Sequence, residues 1–122
     1  MFLRDRQTGR TERVSIGQGG AQGNNGSLID WGGRVITQDG RYVSFYSYAT
    51  NLVPGVSGPQ VYLRDLGAGR TVLVSVNNAG KAANGQSSLP SAGLTGVSFT
   101  STATNLAFGS SGGHQQVYFR AR

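Results

Sequence analysis

The sequence predicts an all-β fold of short antiparallel strands arranged in two repeated units. One strand-like phrase occurs three times, as Met1-Phe2-Leu3-Arg4-Asp5, Val61-Tyr62-Leu63-Arg64-Asp65 and Val117-Tyr118-Phe119-Arg120. A second phrase, Ser47-Tyr48-Ala49-Thr50-Asn51-Leu52, returns as Ser101-Thr102-Ala103-Thr104-Asn105-Leu106. The 20 glycines follow no three-residue period and punctuate runs of Val, Tyr, Phe and Thr, the habit of a turn-rich sheet protein and not of collagen or a disordered chain.

Composition sets the outer bounds. A chain of 122 residues has room for one domain with a modest core, and its 37% hydrophobic content can fill that core. Charged residues make up 13%, about half the usual share, so Ser, Thr, Asn, Gln and Gly must supply most of the polar surface. The net charge of +6 comes from ten arginines and one lysine against four aspartates and one glutamate. These arginines are spread along the chain, which fits a solvated cationic surface better than a concentrated nucleic-acid footprint. There is no cysteine, which removes disulfides and thiolate chemistry and leaves the compartment open. No apolar run approaches the length of a membrane span, and Met1-Phe2-Leu3-Arg4 lacks the long apolar region of a signal peptide, so no membrane insertion is expected.

Taken in order, Met1 to Asp5 reads as a strand, with Phe2 and Arg4 on one face and Leu3 on the other. Asp5 and Gly9 then favour a tight reversal, because an aspartate bonds nearby amides and glycine accepts positive φ. The partner strand is expected at Thr11 to Ile16, and the same hairpin recurs as Val61 to Asp65 with Thr71 to Val76, sixty positions later. Gly17 to Gly26 and Asn77 to Gly85 are too rich in Gly and Asn for element interiors and read as connecting loops. Leu28 to Gly40 is the least regular stretch, with an inner strand expected near Arg34 to Thr37 and a turn at Asp39-Gly40. Arg41 to Ser47 alternates strongly, and Gly96 to Ser101 answers it at an offset of 54, so the first unit carries six extra residues around Trp31. The inner strand of the second unit is expected near Leu89 to Leu94.

Four short strands per unit, repeated at 54 to 60 residues and joined by turn-rich links, form the pattern of β-propeller blades. The predicted order is third-outer, then a complete four-stranded blade, then inner-second-third, giving two four-stranded antiparallel blades plus one extra strand. Residues 1–122 form a single domain of two repeats, about 2–60 and 62–117, with a partial third copy at 117–122. Closed propellers have about four to eight blades. Two blades do not close a ring alone, which leaves three routes: the chain is a fragment of a longer protein, it folds as a different two-sheet structure, or it completes a ring by oligomerisation. The last is the favoured route, in which three copies would give six blades with cyclic symmetry. Met1 to Asp5 and Val117 to Arg120 compete for one place at each junction.

The phrases Val61-Tyr62-Leu63-Arg64-Asp65, Asp39-Gly40-Arg41-Tyr42-Val43-Ser44-Phe45 and Ala49-Thr50-Asn51-Leu52-Val53-Pro54-Gly55 resemble the TolB-type, WD-repeat-like β-propeller repeat of bacterial proteins. The resemblance covers essentially the whole chain and implies a bacterial binding module, periplasmic or secreted. Many relatives carry an acidic, Asn/Gly-containing loop between the second and third strands that could hold calcium. Here that loop reads Gly55-Val56-Ser57-Gly58-Pro59-Gln60 and Gly109 to Gln116, without a carboxylate, so no metal or other cofactor is expected.

Catalytic patterns are sparse. His114 is the only histidine, and Gly109-Ser110-Ser111-Gly112-Gly113 matches the nucleophile-elbow pattern only formally, since that pattern needs a strand-to-helix turn. Asp5, Asp39 and Asp65 are placed as turn-formers, and one His without Cys provides poorly for a metal. Asn25-Gly26-Ser27 matches a glycosylation acceptor, idle in a bacterial-type repeat. The expected function is that of a non-enzymatic module that self-assembles and binds an anionic or carbohydrate-like ligand. Arg4, Arg64 and Arg120 recur at one blade position and suit an anion, while Trp31 and Tyr48 suit a flat ring. The competing class is a hydrolase with its site in a propeller channel, for which His114 is the only triad histidine.

Overall fold

The computed structural model describes residues 1–109 and 113–122. Strands β1 (Phe2–Arg4) and β2 (Thr11–Arg13) form a hairpin of two. Strands β3 (Ser27–Leu28), β4 (Tyr42–Ser47), β5 (Gln60–Asp65) and β6 (Arg70–Leu73) form a sheet of four, and β7 (Ser87–Ala92), β8 (Gly96–Ser101) and β9 (Gln116–Ala121) a sheet of three. All neighbours are antiparallel and follow chain order, and none of the sheets closes on itself. The fold is all-β, with one 3-10 turn at Gln18–Gly20 and no α-helix among the described residues.

Local chemistry explains the hairpins. Asp5 Oδ1 accepts the Gln7 and Thr8 amides, and Gly9 has φ +71. Asp65 Oδ1 accepts the Ala68 amide, and Gly69 has φ +64, so the same reversal is built twice.

The central four-stranded sheet is covered on both faces. On one, Val43, Phe45 and Tyr62 pack with Val14, Leu52 and the half-buried Met1 and Leu3 of the hairpin. On the other, Val61 and Leu63 pack with Val97, Phe99 and Leu106 of the third sheet and its link, with Tyr118 at the margin. Period-2 alternation along β4 and β5 produces this division. The central and third sheets carry the same cross-strand pair: Phe45 stacks on Tyr62 with centroids 5.6 Å apart, and Phe99 stacks on Tyr118 at 5.7 Å. Full burial of one such aromatic contributes about 1.5–3 kcal/mol.

The most literal repeat forms a clasp. Asn24 donates to Thr50 Oγ1 at 2.8 Å and accepts from the Thr50 amide at 2.9 Å, while Asn51 Oδ1 accepts the Asn24 amide. Asn84, Thr104 and Asn105 reproduce these three bonds in the second unit. The asparagines accept backbone amides that the loops leave without a backbone partner, and the threonine hydroxyl accepts the remaining carboxamide N–H.

The inner strand of the first unit corrects the expected one. Its strand is Ser27–Leu28, and after an excursion at residues 29–34 the chain rejoins β4 through the Ile36–Val43 bridge and a Ser44 amide to Val35 carbonyl bond of 2.7 Å. In β7 the break falls at the equivalent point, a register shift between Ser88 and Ser91 that holds only Leu89, at φ +51, and Pro90. Four of the six extra residues therefore lie in the excursion and two in the following hairpin.

Candidate functional site

The excursion is fastened at both ends. At its start Leu28 pairs with Tyr46, and at its end the Arg34 amide donates to Ser91 Oγ at 3.2 Å while the Arg34 carbonyl accepts the Ala92 amide at 2.6 Å. Gly33 makes the second attachment possible, since a Cβ there would sit 2.7 Å from the Pro90 carbonyl oxygen. With its ends held, the tip presents Trp31 fully to solvent, beside exposed Leu28 and Ile29.

Met1, Ser27, Leu28, Ile29, Asp30 and Trp31 line a largely apolar groove of about 340 Å³ there. Tyr46 stands opposite the groove residue Leu28 in the ladder, and burial, followed by the Asp30 charge, raises its phenol above its ordinary value. Tyr48 meets Tyr46 edge-on, with centroids 6.3 Å apart and an interplanar angle of 62°. A flat indole with a carboxylate acceptor beside it suits a ring that carries hydroxyl groups. It suits an anion poorly, because Asp30 would repel one.

The three expected arginines do not converge. Arg4 Nη1 donates to Thr11 Oγ1 at 2.9 Å and Arg64 Nη1 to Thr71 Oγ1 at 3.3 Å, each across to the opposite strand. Arg120 borders a separate cleft of about 210 Å³ with Val76, Asn78 and Tyr118. The two-point partner of Asp65 is Arg41, not the adjacent Arg64. Register explains this: Tyr42 stands opposite Asp65, which brings the preceding Arg41 to the end of the ladder. Arg41 and Arg122 both lie over the Tyr42 ring, at 5.0 and 3.9 Å.

His114 is exposed on the link before β9. Ser110, Ser111 and Gly112 lie outside the described residues, and the chain beyond them runs into a strand, not the helix a nucleophile elbow requires. Asp5, Asp39 and Asp65 all accept backbone amides in turns. Among the described residues no three His, Asp or Glu side chains gather closely enough to hold a metal ion, and no helix is long and apolar enough to cross a membrane.

Comparison of the chain with family models, curated proteins and solved structures finds no match.

Sequence reasoning considers Asp30 only among the five carboxylates and not as the neighbour of Trp31, and it passes over Gln60, which is 2% exposed and bonded to Ser75 Oγ at 2.6 Å. A signal for Gln60 was present: Gln60 and Gln116 both precede Val-Tyr, and Ser15 and Ser75 differ by sixty positions.

Proposed function

We propose that this chain is a non-enzymatic binding module whose sheets are blades of a TolB-type β-propeller, and that three copies associate into a six-bladed ring. The observation that carries this reading is the repetition of one interface. Val14, Phe45, Leu52 and Tyr62 on one side of the central sheet correspond to Val74, Phe99, Leu106 and Tyr118 on the other. The next face in the series belongs to β9, where Val117 is 76% and Phe119 63% exposed, although the equivalent Val61 and Leu63 are buried. Open faces of this kind mark association surfaces. Light scattering on the whole chain tests the reading: a species three times 12.8 kDa is expected, and a folded 12.8 kDa monomer at every concentration overturns it.

The Trp31 groove supports a carbohydrate-like ligand over an anionic one, since Asp30 lies in it and Arg4, Arg64 and Arg120 stand apart. Trp31 is the only tryptophan, so its fluorescence reports occupancy directly. Titration with neutral oligosaccharides is expected to shift its emission to the blue, and the response should vanish in Asp30→Ala. A response to polyanions alone, weakened by salt, would favour the arginines instead.

A further inference from the structure

One strand position occurs three times in this chain, and one of its occupants shows what the position requires. Gln60, at the start of β5, is buried: its Oε1 accepts from Ser75 Oγ at 2.6 Å and its Nε2 donates to the Ala83 and Gly85 carbonyls, each at 3.1 Å. The Ser75 hydroxyl also accepts the Val61 amide at 3.1 Å. Sixty positions earlier, Ser15 Oγ accepts from the Met1 ammonium at 2.7 Å, with Met1 in the place of Val61. Gly23 and Asn25 stand where Ala83 and Gly85 do, and here a cleft of about 360 Å³ opens among Met1, Ser15, Gly23, Asn24, Asn25 and Ser27. Buried Ser15 and these loop residues reproduce the surroundings of a carboxamide.

The third occupant is β9. Gln116 corresponds to Gln60, Val117 to Val61 and Met1, Phe119 to Leu63 and Leu3, and Arg120 to Arg64 and Arg4. β9 is an edge strand, and its Gln116, Val117 and Phe119 are all exposed. The equivalent Met1 and Leu3 pack beside Val14, and Arg4 and Arg64 each reach a threonine on the facing strand. β1 holds its own place through three register pairs and leaves Phe2 63% exposed.

We propose that β9 of one copy seats against β2 of a second copy, in the place that β1 occupies. The register sets Tyr118 opposite Arg13, Phe119 opposite Glu12 and Arg120 opposite Thr11, following the β1–β2 ladder. Gln116 enters the cleft at Ser15, Val117 and Phe119 take the positions of Met1 and Leu3 against Val14, and Arg120 reaches Thr11. β1 is displaced, and β7, β8 and β9 gain β2 of the second copy as a fourth strand. The exchange replaces a three-residue strand with a six-residue one and covers two exposed apolar side chains. It rests on the self-assembly proposed above and names the strands that carry it.

The absence of cysteine makes disulfide trapping unambiguous. The two sheets that hold β2 and β9 lie on opposite faces of the central one, so a bond between these strands must join two copies. Oxidation of the Glu12→Cys, Phe119→Cys double variant is expected to give covalent dimers and trimers on a non-reducing gel. Arg13→Cys with Tyr118→Cys reports the same register with Phe119 kept. Gln116→Ala should weaken association about tenfold, the effect of leaving a buried hydroxyl without its amide. If light scattering shows an assembly but neither cysteine pair links copies, strand exchange is overturned and self-assembly stands. A chain that stays at 12.8 kDa throughout overturns both.

Discussion

Arg41 grips Asp65 at two points, with Nε 3.1 Å from Oδ1 and Nη2 3.1 Å from Oδ2. These bonds, aided by the Ala68 amide, hold the Asp65 carboxyl down at about 2, from an ordinary 3.8. A depressed acid contributes stability that is present above its unfolded value and lost as pH falls through the folded one. Stability should therefore decline between about pH 4 and pH 2, and Arg41→Gln should flatten that decline in thermal melts recorded against pH. In the third sheet Thr95 and Ala121 occupy the two positions, so both partners are replaced together. A double-mutant cycle with Arg41→Thr and Asp65→Ala should return a favourable coupling, kept small because the Arg41 side chain is half exposed.

Tyr62 is completely buried, and its hydroxyl has no hydrogen-bond partner among the described residues. Burial pushes its phenol up to about 12, from 10. Tyr62→Phe keeps the stack on Phe45 and removes an unsatisfied group, so denaturant melts should show a gain of about 1 kcal/mol. A raised phenol loses its contribution as pH climbs from its unfolded value toward its folded one. Alkaline destabilisation between about pH 10 and pH 12 should accordingly be smaller in the variant.

The two Asn clasps are equivalent in geometry and separate in space. Asn24→Ala and Asn84→Ala each remove the two side-chain hydrogen bonds of the clasp, keep the backbone amide bond to Asn51 or Asn105, and should each cost about 1–2 kcal/mol in urea melts. The double variant should show the sum, because neither clasp shares a partner with the other.

Gly33→Ala would place a methyl 2.7 Å from the Pro90 carbonyl oxygen and force the excursion off β7. Its stability cost should be modest, about 1 kcal/mol, because the segment is exposed and free to shift. Trp31 should respond more, with faster decay of fluorescence anisotropy and a loss of any oligosaccharide response.

Much of this was legible in the chain. Val43, Phe45 and Val97, Phe99 announced their strands by alternation, Asp5 with Gly9 and Asp65 with Gly69 announced their turns, and the order of strands within each sheet followed from the repeat. Ser27–Leu28 was not legible, because two residues carry no period and the pairing with Tyr46 depends on where the excursion returns. Trp31 and Tyr48 were singled out by residue type, yet only Trp31 lines the groove, and Asp30 enters with it through adjacency. The symmetry of Arg4, Arg64 and Arg120 was visible as well, but their threonine contacts arise from cross-strand register.

By itself the sequence determined the strands, the turns and the fact of repetition, since alternation and turn chemistry act over a few neighbouring residues. Only the tertiary structure decided that Val14 meets Phe45 and Tyr62, that Arg41 and not Arg64 satisfies Asp65, and that Trp31 stands outside while Tyr62 lies within. Those outcomes depend on which faces of separate sheets are pressed together, and contacts across tens of residues leave no local period to read.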